Sequence, residues 1–366
     1  MKKTILSFIL FGFAISSYAQ NINIPDANFK AYLLGETSIN TNNDTAIQES
    51  EASSYTGFLV CNGKGISDLT GIEAFTEIRT LNVANNSITT LALGDKPKLT
   101  ELYAKGNQIT SISILQNNTL HTVDLQTNKL TDVDVFLSRC SGIKELNLST
   151  NELTTLNISS NLALESLECL NNSIPSINFA RLASLTKVQI GGNNFTSIDL
   201  SANANLDFIE VIGCSDLESL NIANGNNKNF RTVTLPFPPF GTATLFNATN
   251  NPKLTCIQVD DATYSTSNWT QQNIDATASY SENCQNSVGV EKYVVQTMSV
   301  YPNPASNTIA VHAPSSKVIT IISMQGKVLL EKTNSFILNI EGLTPGIYIV
   351  QASDGSQVYT SRFIKN

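Results

Sequence analysis

The sequence predicts a mostly β protein: a solenoid of short stacked strands behind a short helical N-terminal cap, followed by a small C-terminal β-sandwich. Three observations predict it. An asparagine returns every 21 to 23 residues, at 86, 107, 128, 151, 172 and 193. An apolar frame of fixed spacing surrounds each of them. The end of the chain then drops this repeat for short alternating segments separated by turn signals.

The frame reads L-x-x-L-x-L-x-x-N-x-L, with Ile78, Leu81, Val83, Asn86 and Ile88 in one copy and Leu99, Leu102, Ala104, Asn107 and Ile109 in the next. Alternating apolar positions suit a short strand with one buried side. The asparagine amide, with two donors and an acceptor, satisfies backbone groups left unpaired where the coil bends. One copy cannot bury its leucines. Stacking sets Leu81 beside Leu102, Val123, Leu146, Leu167, Val188 and Ile209, so the core arises from repetition. This pattern resembles the leucine-rich-repeat family and its internalin-like adhesins with repeats of about 21 residues. In that family cysteine is a permitted substitute for the asparagine, which extends the predicted ladder to Asn86, Asn107, Asn128, Asn151, Asn172, Asn193 and Cys214.

A second apolar pair follows each asparagine: Leu91 and Leu93, Ile112 and Ile114, Val133 and Val135, Leu156 and Ile158, Ile177 and Phe179, Ile198 and Leu200. The other wall of each coil is therefore expected to be extended, because so short a repeat leaves little room for a helix of about 11 residues. The array loosens at its ends. Thr56, Leu59, Cys61 and Ile66 form a degenerate first copy with Lys64 in the asparagine place. Two irregular copies are expected around Val233 and Leu235 and around Leu254, Ile257 and Val259. The run Pro236, Phe237, Pro238, Pro239 disturbs the coil between them, since proline cannot donate to a ladder.

Lys2 and Lys3, an apolar run from Ile5 to Ile15, and Ser17, Tyr18, Ala19 before Gln20 have the form of a secretory signal peptide. No cysteine stands at the cleavage point, which argues against a lipoprotein anchor, and no later segment reaches the ~18 apolar residues of a transmembrane helix. The expected organisation is a signal peptide over 1–19, an N-terminal cap over 20–57, the solenoid over 58–263, a C-terminal cap and linker over 264–289, and a final domain over 290–366.

That final domain opens on Val300, Tyr301, Pro302, Asn303, Pro304. Expected strands follow at 308–312, 318–324, 327–330, 336–340, 346–351 and 358–364, with turns at Gln325-Gly326, Pro345-Gly346 and Asp354-Gly355. The Tyr-Pro-Asn-Pro opening, the Met324-Gln325-Gly326-Lys327-Val328 turn, the run from Leu343 to Tyr348 and the close Phe363-Ile364-Lys365-Asn366 resemble the C-terminal sorting domain of the type IX secretion system of Bacteroidetes. The resemblance implies recognition by that secretion machinery, export across the outer membrane, removal of the domain, and release or attachment at the outer cell surface.

Net charge is −8 and the pI is near 4.9, which excludes nucleic acid as a partner because nothing neutralises phosphates. Six cysteines are too few for a disulfide scaffold. Cys61 and Cys169 take inward strand positions as small apolar residues. Cys256 and Cys284, flanking a segment that contains Trp269, are the candidates for a bridge closing the C-terminal cap.

Catalysis finds no foothold. His121 and His312 fall in different domains, and no CxxC, HExxH, GxSxG or phosphate-cradling glycine loop occurs. One segment has the spacing of a calcium loop: Asn40, Asn42, Asp44, the carbonyl of Ala46, Gln48 and Glu51 occupy the six oxygen-donor places. Asparagine opens that loop and Thr45 stands where glycine permits the sharp turn, so two readings stay open: a weak calcium site, or a cap whose side chains make turn hydrogen bonds.

Between the inward residues of each strand one side chain points outward, giving the row Asn82, Tyr103, Asp124, Asn147, Glu168, Gln189, Glu210. A second row runs Ala84, Lys105, Gln126, Ser149, Leu170, Gly191, Ile212. Exposed Tyr103, Leu170 and Ile212 among acidic residues mark this face for a partner. The expected ligand-binding residues are Tyr103, Lys105, Asp124, Asn147, Glu168, Leu170, Gln189, Glu210 and Ile212. The expected function is non-catalytic binding or adhesion to a protein or glycan. The alternatives are a structural surface component or an accessory module of an extracellular enzyme system.

Overall fold

The computed structural model describes residues 20–235, 241–269, 273–284, 298–313, 318–324, 326–333, 336–353 and 358–366. The signal peptide, the Pro236 to Pro239 run, Gln325, the Asp354-Gly355 turn and the His312 side chain lie outside them. The chain divides into two compact units, residues 1–287 and 288–366.

In the first unit, nine parallel strands among the described residues form one sheet. They are Phe58–Val60, Thr80–Asn82, Glu101–Tyr103, Thr122–Asp124, Glu145–Asn147, Ser166–Glu168, Lys187–Gln189, Phe208–Glu210 and Phe246–Asn247. Their register sets Leu59, Leu81, Leu102, Val123, Leu146, Leu167, Val188, Ile209 and Phe246 in one column. All of these are 2% exposed or less, so each coil buries its apolar frame against its neighbours. A one-residue slip would turn every leucine to solvent, which is why the register holds.

The opposite wall is extended only in part. Thr90–Ala92 pairs with Ser111–Ser113, and Ser197–Asp199, Ser219–Asn221, Cys256–Gln258 and Ser279–Ser281 form a four-stranded sheet. Between them the expectation of a uniformly extended wall fails. Asp134–Arg139 is a short helix that buries Phe136 and Leu137 and leaves Val135 62% exposed. This coil is the one with 23 residues between its asparagines, Asn128 and Asn151, rather than 21, and the Asp132 carboxylate accepts the Asp134 N–H at 2.8 Å to start the turn.

The two irregular late copies are also corrected. Thr232–Leu235 pairs antiparallel with Gly241–Thr244, outside the ladder. The Arg231 N–H donates to Asp207 and the Leu245 N–H to Arg231, so the coil closes across the base of this insertion. The ladder resumes at Phe246, while Ile257 belongs to the opposite wall.

The N-terminal cap buries Phe29, Leu33, Ile39, Ile47 and Ala52 over the first coil. Asp26 caps the helix Ala27–Gly35 through the N–H groups of Asn28 and Phe29, and its second oxygen accepts from Ser67 and Asp68 of the first coil. Burial pushes its carboxyl up, but the donors of Phe29, Ser67 and Asp68 outweigh this and hold it below its ordinary range. At the other end Phe230, Phe246, Trp269 and Tyr280 pack ring on ring, and Cys256 and Cys284 are joined by a disulfide with Cα atoms 5.6 Å apart.

The second unit is antiparallel throughout its described strands. One sheet holds Ser299–Tyr301, Thr308–His312 and Ile337–Asn339; the other holds Val328–Thr333, Val318–Ser323, Gly346–Ser353 and Val358–Lys365. Ile309, Val311, Ile319, Ile321, Leu338, Val350 and Phe363 form their common core. The Asn303 side chain donates to the Arg362 carbonyl and accepts from the Ile364 N–H, which ties the Tyr-Pro-Asn-Pro opening to the last strand.

Candidate binding face and the ladders that hold it

Each ladder asparagine clamps two coils. Asn128 Nδ2 donates to the carbonyls of Leu125 in its own coil at 2.9 Å and Ala104 in the preceding coil at 3.1 Å, and its Oδ1 accepts the Ile109 N–H at 3.0 Å. Asn86, Asn107, Asn151, Asn172 and Asn193 repeat the pattern, while Cys214 makes one long contact to the Ile190 carbonyl at 3.9 Å. The ladder then continues through Asn251, which reaches the carbonyls of Val211 and Ala248. Phe246, Ala248 and Asn251 keep the spacing of Leu102, Ala104 and Asn107, but the inserted hairpin displaces them from the period.

A second ladder on the far side was not anticipated. Asn117, Asn161 and Asn203 are buried and donate to carbonyls of their preceding coils: Lys96 and Leu99, Leu137 and Cys140, Phe179 and Leu182. Lys96 heads this column. It is 1% exposed, and its ammonium donates to the Glu73 carbonyl at 3.2 Å. Burial pulls its pKa down to about 8, against the raising influence of Glu73 and Asp95.

With the coils locked, three rows of side chains stand on the outer side of the sheet. The middle row is as expected in direction, but Tyr103, Asp124, Asn147, Glu168, Gln189 and Glu210 are half-buried rather than fully exposed. In the second row Lys105 is exposed, Gln126, Leu170 and Ile212 are half-buried, and Ala84, Ser149 and Gly191 are buried by their neighbours. A third row, missed in the sequence, runs Phe58, Thr80, Glu101, Thr122, Glu145, Ser166, Lys187 and Phe208. No single residue type recurs from coil to coil along it.

Cross-strand hydrogen bonds fix many of these side chains. Thr80 donates to Glu101 at 3.1 Å, Asn147 to Glu168 at 2.9 Å and Gln189 to Glu210 at 2.9 Å. Lys187 bonds Glu168 and, with Arg231, lies over the Phe208 ring, at 5.3 and 5.9 Å from its centre. Burial raises the Tyr103 phenol, and Glu101, Glu145 and Asp124 push it up further. Burial likewise raises the Asp124 carboxyl against the Gln126 N–H and Lys105, with Glu168 adding to the rise. Phe58 and Val60 stand 63% and 42% exposed on the first strand.

In the 40–51 loop the side-chain oxygens are engaged. One Glu51 oxygen accepts from the N–H and hydroxyl of Thr41, and the other from the Gln48 N–H, making a capping box for the helix Glu49–Ser54. Asn40 and Asn42 accept the Asp44 N–H, Asp44 accepts from Ala46 and Gln48, and Asn42 donates to Gln48. A calcium ion there would displace the Glu51 contacts. His121 is half-buried beside Thr122, its Nδ1 3.1 Å from the hydroxyl. Among the described residues no helix is long and apolar enough to cross a membrane.

Comparison with known proteins gives two kinds of likeness. Residues 299–366 match the family described as a secretion system C-terminal sorting domain. Similar solved structures include the functional domain of InlJ from Listeria monocytogenes, which "includes a cysteine ladder", at 25% identity and a TM-score of 0.48 over 71% of this chain. The chain spans 60% of that domain. Internalin C2 from Listeria monocytogenes is 22% identical with a TM-score of 0.42, covering 55% of this chain and 84% of its own. A leucine-rich-repeat protein of Leptospira interrogans is 21% identical with a TM-score of 0.34, covering 46% of this chain and 41% of its own. No curated protein matches. The chain thus joins a solenoid of stacked parallel strands to a secretion sorting domain at residues 299–366, a domain that marks proteins for the cell surface or the medium.

Proposed function

We propose that this is an exported, non-catalytic binding protein that recognises a protein partner on the outer face of the nine-stranded sheet. The observation that carries the reading is the cross-strand bonding of that face: Thr80 to Glu101, Asn147 to Glu168 and Gln189 to Glu210 hold polar side chains in place before any partner arrives. A preformed surface loses little conformational entropy on binding. Tyr103, Lys105, Asp124, Asn147, Glu168, Leu170, Gln189, Glu210 and Ile212 are the proposed contact residues, joined by Glu101 and Glu145. The C-terminal unit serves export, and the solenoid is the part that works outside the cell.

The test is binding of the mature chain to a panel of extracellular proteins and glycans. The triple variant Tyr103→Ala, Glu168→Ala, Leu170→Ala is expected to lose at least tenfold in affinity. Unchanged binding in the triple variant would make the solenoid a spacer rather than a receptor.

A further inference from the structure

We propose that the occupant of this face is a cationic polypeptide: an extended segment that lays a lysine or arginine over the Tyr103 ring, among the carboxylates of Glu101, Asp124 and Glu145, and an apolar side chain over Phe58 and Val60. This rests on the reading of the sheet face as a binding surface and adds the chemistry of what it binds.

Charge is the first argument. Among the described residues the ion pairs are Lys144 with Glu165, Lys187 with Glu168, Lys228 with Asp261, Arg231 with Asp207 and Lys253 with Asp216. Glu101, Asp124 and Glu145 belong to none of them. They sit on three successive strands of the ladder, so Glu101 and Glu145 are about 10 Å apart at strand spacing, with Asp124 on the strand between. Like charges gathered on one sheet face cost stability. Farther along the same face Glu168 has Lys187 as its counter-ion; in the acidic stretch Lys105 acts on Asp124, while Glu101 and Glu145 stand without a cation in ion-pair contact.

The aromatic ring is the second. Tyr103 is half-buried within the acidic group, and the three carboxylates act on its phenol, Asp124 from its own row and Glu101 and Glu145 from the row beside it. An aromatic face attracts a cation by its quadrupole, and the attraction grows when water is excluded. A ring ringed by carboxylates therefore favours an ammonium or guanidinium over a neutral group. A neutral glycan would hydrogen-bond the carboxylates and leave their charge uncompensated.

Exposed Phe58 and Val60 supply the third. They stand on the same side of the sheet, two strands from Glu101–Tyr103, at about 10 Å. A peptide running across the strands advances about 3.3 Å per residue and turns alternate side chains to the sheet. Three residues would span that distance, but alternation turns the third side chain away, so the apolar and cationic side chains would stand two or four positions apart in the partner, their own length covering the difference of about 3 Å.

The test uses the full mature chain and calorimetry with three probes. One is a ten-residue peptide of alternating serine and lysine carrying a leucine two positions before the first lysine. The others are its glutamate counterpart and a neutral hexasaccharide. The lysine peptide is expected to bind, more weakly as salt rises, and the glutamate peptide not to bind. Glu101→Gln with Glu145→Gln should weaken the lysine peptide at least tenfold. Glu152→Gln with Glu218→Gln, the same charge change off this face, should alter it less than twofold. Equal losses in the two double variants would reduce the binding to diffuse attraction by a chain of charge −8 and overturn the proposal. A hexasaccharide that binds, ignores the glutamine pair and is blocked by Gln126→Arg with Leu170→Arg would reject the cationic occupant while keeping the face in use. If the arginine pair blocked no bound probe, the binding-face reading itself would fall.

Discussion

Single residues carry strain that the repeat imposes. The position before each ladder asparagine is left-handed in every coil, with φ between 53° and 74° at Asn85, Gly106, Thr127, Thr150, Asn171, Gly192, Gly213 and Asn250. Glycine and asparagine tolerate this; a β-branched threonine does not. Thr127→Asn and Thr150→Asn are each expected to stabilise the protein by about 1 kcal/mol, read as a rise in Tm. An unchanged or lower Tm in both would show that the threonines are held by contacts worth more than the strain. Lys96 is a second misfit, a cation at the head of a column of asparagines. Its folded pKa near 8 lies below its ordinary 10.5, so the unfolded chain binds more protons between these values and the native state gains stability as pH rises through that window. Lys96→Asn should therefore raise Tm at pH 7, and the gain should shrink toward pH 10. A gain independent of pH would mean that the charge is not the cause.

Among the elements, the first strand faces the hazard of every sheet edge: unpaired backbone groups that invite another strand. Two tyrosines of the cap close it. The Val60 N–H donates to the Tyr32 hydroxyl at 3.1 Å, and the Tyr55 hydroxyl donates to the Phe58 carbonyl at 3.1 Å. Tyr32→Phe with Tyr55→Phe should free both groups and produce concentration-dependent association in analytical ultracentrifugation. A strictly monomeric double variant would place the protection elsewhere in the cap. The helix Asp134–Arg139 shows how element choice depends on coil length. The pair Val133 and Val135 fitted a strand by alternation, yet the two added residues gave the chain room for a turn that buries Phe136 and Leu137 instead.

For the molecule as a whole, the sheet and first ladder were legible because a strand with one buried side repeats its apolar frame at every coil. What escaped notice broke that period or lacked a residue type of its own. Asn251 follows Cys214 by 37 residues because of the inserted hairpin, and the second ladder has Cys140 and Leu182 between its asparagines, which hides the interval. The row of Glu101 and Glu145 keeps no one residue type from coil to coil, since solvent-side positions are not constrained by the core. Its membership follows only once the register is known. The measurement closest to the central claim is photo-cross-linking of the mature chain to its surface partner from benzoylphenylalanine placed either at position 103 on the sheet face or at position 111 on the opposite wall. The account predicts covalent capture from 103 and none from 111; capture from 111 alone would contradict it.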